Sequence, residues 1–335
     1  MGWWSKLFKK RVEDWVFERL ESNQVPEDPK SHDEVSADEA YLTIILRSMR
    51  VVNVRKLATK FYGVVHSFTT LDHLSGKDGS FQTVTTPTQL RNIDSQNIDH
   101  VIQVNKTLLG PIPYRGGKVG LELGLFSVKE ADLAAPFLDV LQSMSSLAGV
   151  AVVSAAIPFV DPIKKGIEAL TGTSGDSILE IGIATELNPP KTGWWVVMRA
   201  PKKEIDIAEL DVTPSDFRLV DRSSQELIKD FPYMVFCVIE SKERSDWFKL
   251  PDLTKPYQKL QEAVRTGEYN AAKELITTFK RLALTSDDLI TDDAKRIAQL
   301  VKDKAEAALG GTLTSVADQK IKLPDLESYP LYEKH

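Results

Sequence analysis

The segment PYMVFCVIE, residues 232–240, is apolar at every position from Tyr233 to Ile239. Side chains alternate across a strand, so Tyr233, Val235, Cys237 and Ile239 fall on one face and Met234, Phe236 and Val238 on the other. A strand that is apolar on both faces needs cover on both, which predicts a central place in a sheet. Six more stretches carry the same β-branched and aromatic enrichment: YLTIILRSMRVV (41–52), KFYGVVHSFTT (60–70), HVIQVNKTLL (100–109), KVGLELGLFSV (118–128), SILEIGIATEL (177–187) and GWWVVMRA (193–200). No regular helical crossover separates the first five, so a parallel βαβ arrangement is disfavoured. The expected class is α+β, with an antiparallel β-sandwich core over residues 40–250.

Between KVGLELGLFSV and SILEIGIATEL lies an apolar insertion, residues 131–171. Asp139 and Asp161 bracket 21 uncharged residues, about the length of a membrane-crossing helix. Gln142, Ser143, Ser145, Ser146 and Ser154 dilute that run, and Gly149 and Pro158 interrupt it. The expected fate is a pair of buried helices covering the sheet; the alternative is release of residues 133–171 into lipid.

Beyond Trp247 the period changes to that of helices. Pro256 suits the first turn of a helix through Arg265, and Tyr269 to Leu284 places Ala272, Leu275, Ile276, Phe279 and Leu282 on one side. Thr291, followed by Asp292 and Asp293, is an N-cap signal for a third helix that Gly310 and Gly311 are expected to stop. A C-terminal helical subdomain over 251–310 and a tail over 311–335 are expected. GEYNAAKELI (267–276) resembles half of a tetratricopeptide unit, but no second copy occurs at a 34-residue period, so no solenoid is expected.

The chain opens MGWWSKLFKKRVEDWVFERL (1–20). On a helical wheel Trp4, Phe8, Val12, Trp15 and Val16 share an arc of roughly 120°, with Trp3 and Leu7 on its flank. Lys6, Lys9, Lys10 and Arg11 make the first half basic. These charges break any continuous apolar run of an export signal, and Lys6 stands where a myristoylation motif wants Ser or Thr. An amphipathic helix over 1–20 is therefore expected. Residues 21–39 hold two prolines, seven acidic residues and one lysine, the composition of a solvated acidic linker.

Little in the chain points to catalysis. A formal charge of −6 argues against nucleic acid, Cys237 is the only cysteine, and the five histidines lack paired metal spacing, so neither metal nor cofactor is expected. GPIPYRGGKVG has Ile112 and Val119 where a phosphate loop needs Gly and Ser or Thr, and GTSGD has Asp176 in place of the second glycine of a nucleophile elbow. Glu240 and Lys242, with an acid such as Asp216 or Asp221, resemble the carboxylate and lysine set of PD-(D/E)xK metal-dependent nucleases.

Three functional readings result. The leading one is a non-enzymatic adaptor or effector that docks to a protein partner or an anionic membrane surface through Trp3, Trp4, Lys6, Leu7, Phe8, Lys9, Lys10, Val12 and Trp15. The second is a membrane-permeabilising protein inserting residues 133–171, and the third a nuclease-like centre at Glu240 and Lys242. The expected location is the cytoplasm, with peripheral attachment at the inner membrane.

Overall fold

The computed structural model describes residues 15–27, 33–52, 55–56, 59–72, 80–84, 102–129, 177–201 and 204–313. The insertion at 131–171, the first fourteen residues and the tail beyond 313 lie outside them. Strands and helices are mixed and the sheets are antiparallel, giving an α+β class. The chain divides into a unit of residues 1–37 and 42–240 and a unit of residues 38–41 and 241–335.

In the first unit the strands are β1 (Trp15–Arg19), β2 (Tyr41–Arg50), β3 (Arg55–Lys56), β4 (Thr59–Leu71), β5 (Ser80–Val84), β6 (Ile102–Pro113), β7 (Val119–Lys129), β8 (Ser177–Leu187), β9 (Gly193–Arg199), β10 (Leu210–Val212), β11 (Leu219–Asp221) and β12 (Tyr233–Ser241). One five-stranded sheet runs β1-β9-β12-β2-β6, so PYMVFCVIE is its middle strand. Tyr233 through Val238 are all buried, as two covered faces require. On one face, Val16, Leu20, Trp194, Val196, Met198, Tyr233, Val235 and Cys237 form a core with Leu210, Val212 and Leu219 of the β10–β11 hairpin. Tyr233 closes it: its hydroxyl accepts the Leu219 N–H at 3.1 Å.

The second sheet runs β3-β4-β7-β8, with β5 also on β4. Its long pairing, Phe61↔Lys129 to Leu71↔Val119, brings Val65, Leu71, Leu121 and Leu125 to one buried face. A register shift in the β7–β8 pair between Leu125 and Phe126 marks a bulge.

Two expectations for the N-terminal region are corrected. Trp15–Arg19 is a strand, not the end of a helix, paired antiparallel to β9 from Trp15↔Arg199 to Arg19↔Trp195. A stretch of five residues that includes Trp, Val and Phe satisfies a period of two as readily as 3.6, and the open edge of β9 supplies backbone partners that an isolated short helix lacks. Burial agrees with the strand, since Val16 and Leu20 enter the core while Phe17 stacks on Trp195 at 5.1 Å. Nor are residues 21–39 a free tether where described. A 3-10 turn, Ser22–Gln24, buries Gln24, and further on the Val35 N–H donates to Pro190 O at 2.9 Å while Asp33 O accepts from Thr192 N at 3.1 Å.

The second unit contains α1 (Pro251–Thr266), α2 (Tyr269–Leu284) and α3 (Thr291–Leu313). Helix α2 has the expected bounds. Helix α1 starts earlier, with Pro251 in its first turn, so Pro256 sits inside it rather than opening it. A proline ring costs least at a helix start, and here Pro251 takes that place. Helix α3 runs through Gly310 and Gly311 to Leu313, so those glycines do not stop it; glycine weakens a helix interior by about 1 kcal/mol, which a packed face outweighs. Gly267 does end α1: at φ 75° its N–H donates to Val264 O and the Glu268 N–H to Ala263 O, a Schellman closure. Trp247 packs its indole edge-on to Tyr257 at 5.0 Å and to Phe279 at 5.8 Å. No described helix is long and apolar enough to cross a membrane.

Candidate docking segment and its anchor

Trp3, Trp4, Lys6, Leu7, Phe8, Lys9, Lys10 and Val12 lie outside the described residues. Trp15 is the first described residue and begins β1, the edge strand of its sheet. The tryptophan and lysine segment thus runs straight into a strand held on the body. No acidic leash intervenes. The strand continues into Leu20, whose N–H donates to Trp194 O at 2.8 Å.

Gln24 secures the turn beyond Leu20. Its Nε2 donates to Ile207 O at 2.7 Å and Leu210 O at 2.6 Å, and its Oε1 accepts the Glu21 N–H at 2.7 Å. Trp194 adds a second tie, donating Nε1–H to Glu27 O at 2.7 Å. Composition hides this, because a glutamine in an acidic stretch looks solvated; the readable signal is the E-x-x-Q spacing of Glu21 and Gln24, a capping-box pattern. Gln24→Ala strips the donors from two buried carbonyls and is expected to cost about 2–3 kcal/mol. Urea titration would measure it, with hydrogen exchange accelerating first at residues 16–24.

The E-x-K residues are spoken for by local partners. Glu240 accepts the Ser36 N–H on Oε2 at 3.1 Å, and Lys242 Nζ lies 4.0 Å from Glu39. Asp216 is taken up by Thr213 Oγ1 at 2.6 Å and by an ion pair with Arg218. Asp221 Oδ1 accepts from the hydroxyls and backbone N–H groups of Ser223 and Ser224, chiefly the hydroxyl of Ser223, and this holds its carboxyl down to about 2. Among the described residues no three His, Cys, Asp or Glu side chains form a group able to hold a metal.

A polar cluster in the second unit has no signature in the sequence. Asp293 Oδ2 accepts from the Tyr41 hydroxyl at 2.7 Å and from Arg244 N at 2.9 Å, while Oδ1 accepts from Arg296 Nε at 2.7 Å. The Arg244 side chain, 0% exposed, forks onto Asp246 through Nε at 2.6 Å and Nη2 at 3.2 Å. Burial foremost, then the hydrogen bond to Asp293 and its charge, push the Tyr41 phenol far above its ordinary value. Every charge described in this cluster has a partner, which marks it as a clasp rather than a reactive centre.

No family model, curated protein or solved structure matches the chain.

Proposed function

We propose that this protein is a non-enzymatic adaptor or effector that docks through its opening segment to an anionic membrane surface. The segment comprises Trp3, Trp4, Lys6, Leu7, Phe8, Lys9, Lys10, Val12 and Trp15. Indole and phenyl rings suit the lipid headgroup region, and each lysine near an anionic surface adds about 1 kcal/mol of attraction. The observation that carries the reading is the edge strand β1, which ties this segment to a fixed place on a sheet. The docking residues are then joined to the body through β1 and not through residues 21–39. The two five-stranded sheets are read as the layers of an antiparallel sandwich, a reading supported by the buried apolar face of each.

The test is co-sedimentation with phosphatidylcholine vesicles, with and without phosphatidylserine. Deletion must stop at residue 14, since removing 15–20 would also take Val16 and Leu20 from the core and confuse lost binding with lost folding. The full chain is expected to bind serine-containing vesicles and to weaken as salt screens the lysines. The chain lacking residues 1–14 is expected not to bind. Equal binding by both chains would overturn the proposal, as would binding to a protein groove with none to vesicles.

A further inference from the structure

We propose that the end of the first sheet at which β1 begins, where Arg199, Lys229 and Val52 lie, is a second contact with the anionic membrane; this rests on docking by the opening segment. Four strand ends meet there. Trp15 opens β1 opposite Arg199, the last residue of β9. The Arg199 N–H donates to Pro232 O at 3.1 Å, which sets the approach to β12 beside it. Arg50, the last residue of β2, donates from Nε to Lys229 O at 3.1 Å, so β2 ends beside the same approach. With strands about 4.8 Å apart, the order β1-β9-β12-β2 puts the end of β2 about 14 Å along the row from Trp15.

This row has the chemistry of a membrane-facing surface. Val52, two residues past β2, is 37% exposed, and among the described residues of the first unit no other large apolar side chain is as open. Arg199 and Lys229 are exposed beside it. Three chain steps, at most roughly 11 Å, lead from Val52 to β3, where Arg55 pairs with Lys60 and Lys56 with Thr59. From Tyr41 to Leu71 the sequence holds five lysines and arginines and no acid. Against these cations stand the exposed acids Glu204 and Asp230. On the opening segment, Glu13 and Asp14 are outnumbered by Lys6, Lys9, Lys10 and Arg11.

The occupant follows from this composition. A protein interface needs a buried apolar centre, which one valine does not supply. A flat anionic bilayer asks for less: a row of cations at headgroup level with an apolar side chain among them. Contact at both Trp15 and the end of β2 stands the sheet end-on to the membrane.

A solvatochromic dye on Val52→Cys of the full chain tests this, since the native Cys237 is buried. On phosphatidylcholine vesicles containing phosphatidylserine, its emission is expected to shift to the blue. The same dye on Lys191→Cys, an exposed position at the opposite end of β9, is expected to report water. Lys229→Gln and Arg199→Gln should each weaken vesicle binding about fivefold, the equivalent of about 1 kcal/mol per cation. Lys191→Gln should leave it unchanged. If binding requires residues 1–14 but the dye at position 52 stays in water, or if Lys229→Gln and Lys191→Gln behave alike, the sheet-end contact is overturned and docking by the opening segment stands. No vesicle binding by the full chain would overturn both.

Discussion

Asp293→Ala is expected to destabilise the C-terminal unit by about 3–5 kcal/mol, the range for removing one partner from a buried charged network. The carboxylate is 0% exposed and is the shared acceptor for the Tyr41 hydroxyl, the Arg244 backbone and the Arg296 guanidinium. Its loss leaves the Tyr41 hydroxyl and the Arg244 N–H without their acceptor at once, while Arg296 keeps its ion pair with Glu243. Asn is no rescue, because its amide turns two N–H groups toward groups that already donate. Tyr41→Phe is milder, about 1–2 kcal/mol, since it removes one hydroxyl and the acceptor of the Ile290 N–H. Hydrogen exchange across α1 to α3 would separate these losses from any change in the sheets.

Alkali attacks the same clasp. The folded pKa of Tyr41 is raised, so the folded form holds its proton where the unfolded chain releases it. The associated stability is complete below the unfolded phenol value of about 10 and falls as pH rises beyond it. Tyr41→Phe should remove much of that alkaline slope, read as the urea midpoint against pH. Tyr233, also raised by burial, contributes a slope of the same sign in the sheet unit and stays in the variant as a reference.

Phe236→Ala is the second large effect, about 3–5 kcal/mol from lost transfer energy and the cavity left behind. Phe236 is 0% exposed and lies at the centre of the middle strand. Its ring lies parallel to Trp195, 7° between planes at 6.5 Å, and 6.1 Å from Phe17. The cost therefore reaches β1. Urea denaturation measures the total, and faster exchange at residues 16–20 would show that the N-terminal strand loosens with it. Phe236→Leu should lose only about 1–2 kcal/mol, because most of the volume stays. Equal losses for Leu and Ala would mean that shape at this position is unimportant, contrary to a close-packed centre.

Where hydrophobic order ran long, it was readable. The unbroken apolar run of 233–239 has one stable solution, cover on both sides, and β12 takes it. The strands at 41–50, 59–71, 102–113, 119–129, 177–187 and 193–199 and the helix at 269–284 follow from alternation and a 3.6 period for the same reason. Local chemistry alone was enough there. For the opening segment, the residue pattern supplies the aromatic rings and lysines on which the proposed docking rests, and the vesicle experiment tests that proposal.

Short and polar segments were decided elsewhere. Residues 15–19 are too few to express a period, and the exposed edge of β9 chose strand over helix. Gln24 became an anchor because two carbonyls more than 180 residues away in sequence needed donors. Arg244, Asp293 and Tyr41 look like ordinary surface and strand residues in the sequence, and folding brought them together across as many as 252 positions. Arg47 likewise acquired its neighbouring rings, Trp194 and Phe217, only through packing. Apolar burial depends on composition that a local window contains, whereas a polar group takes the partner that the finished chain path delivers.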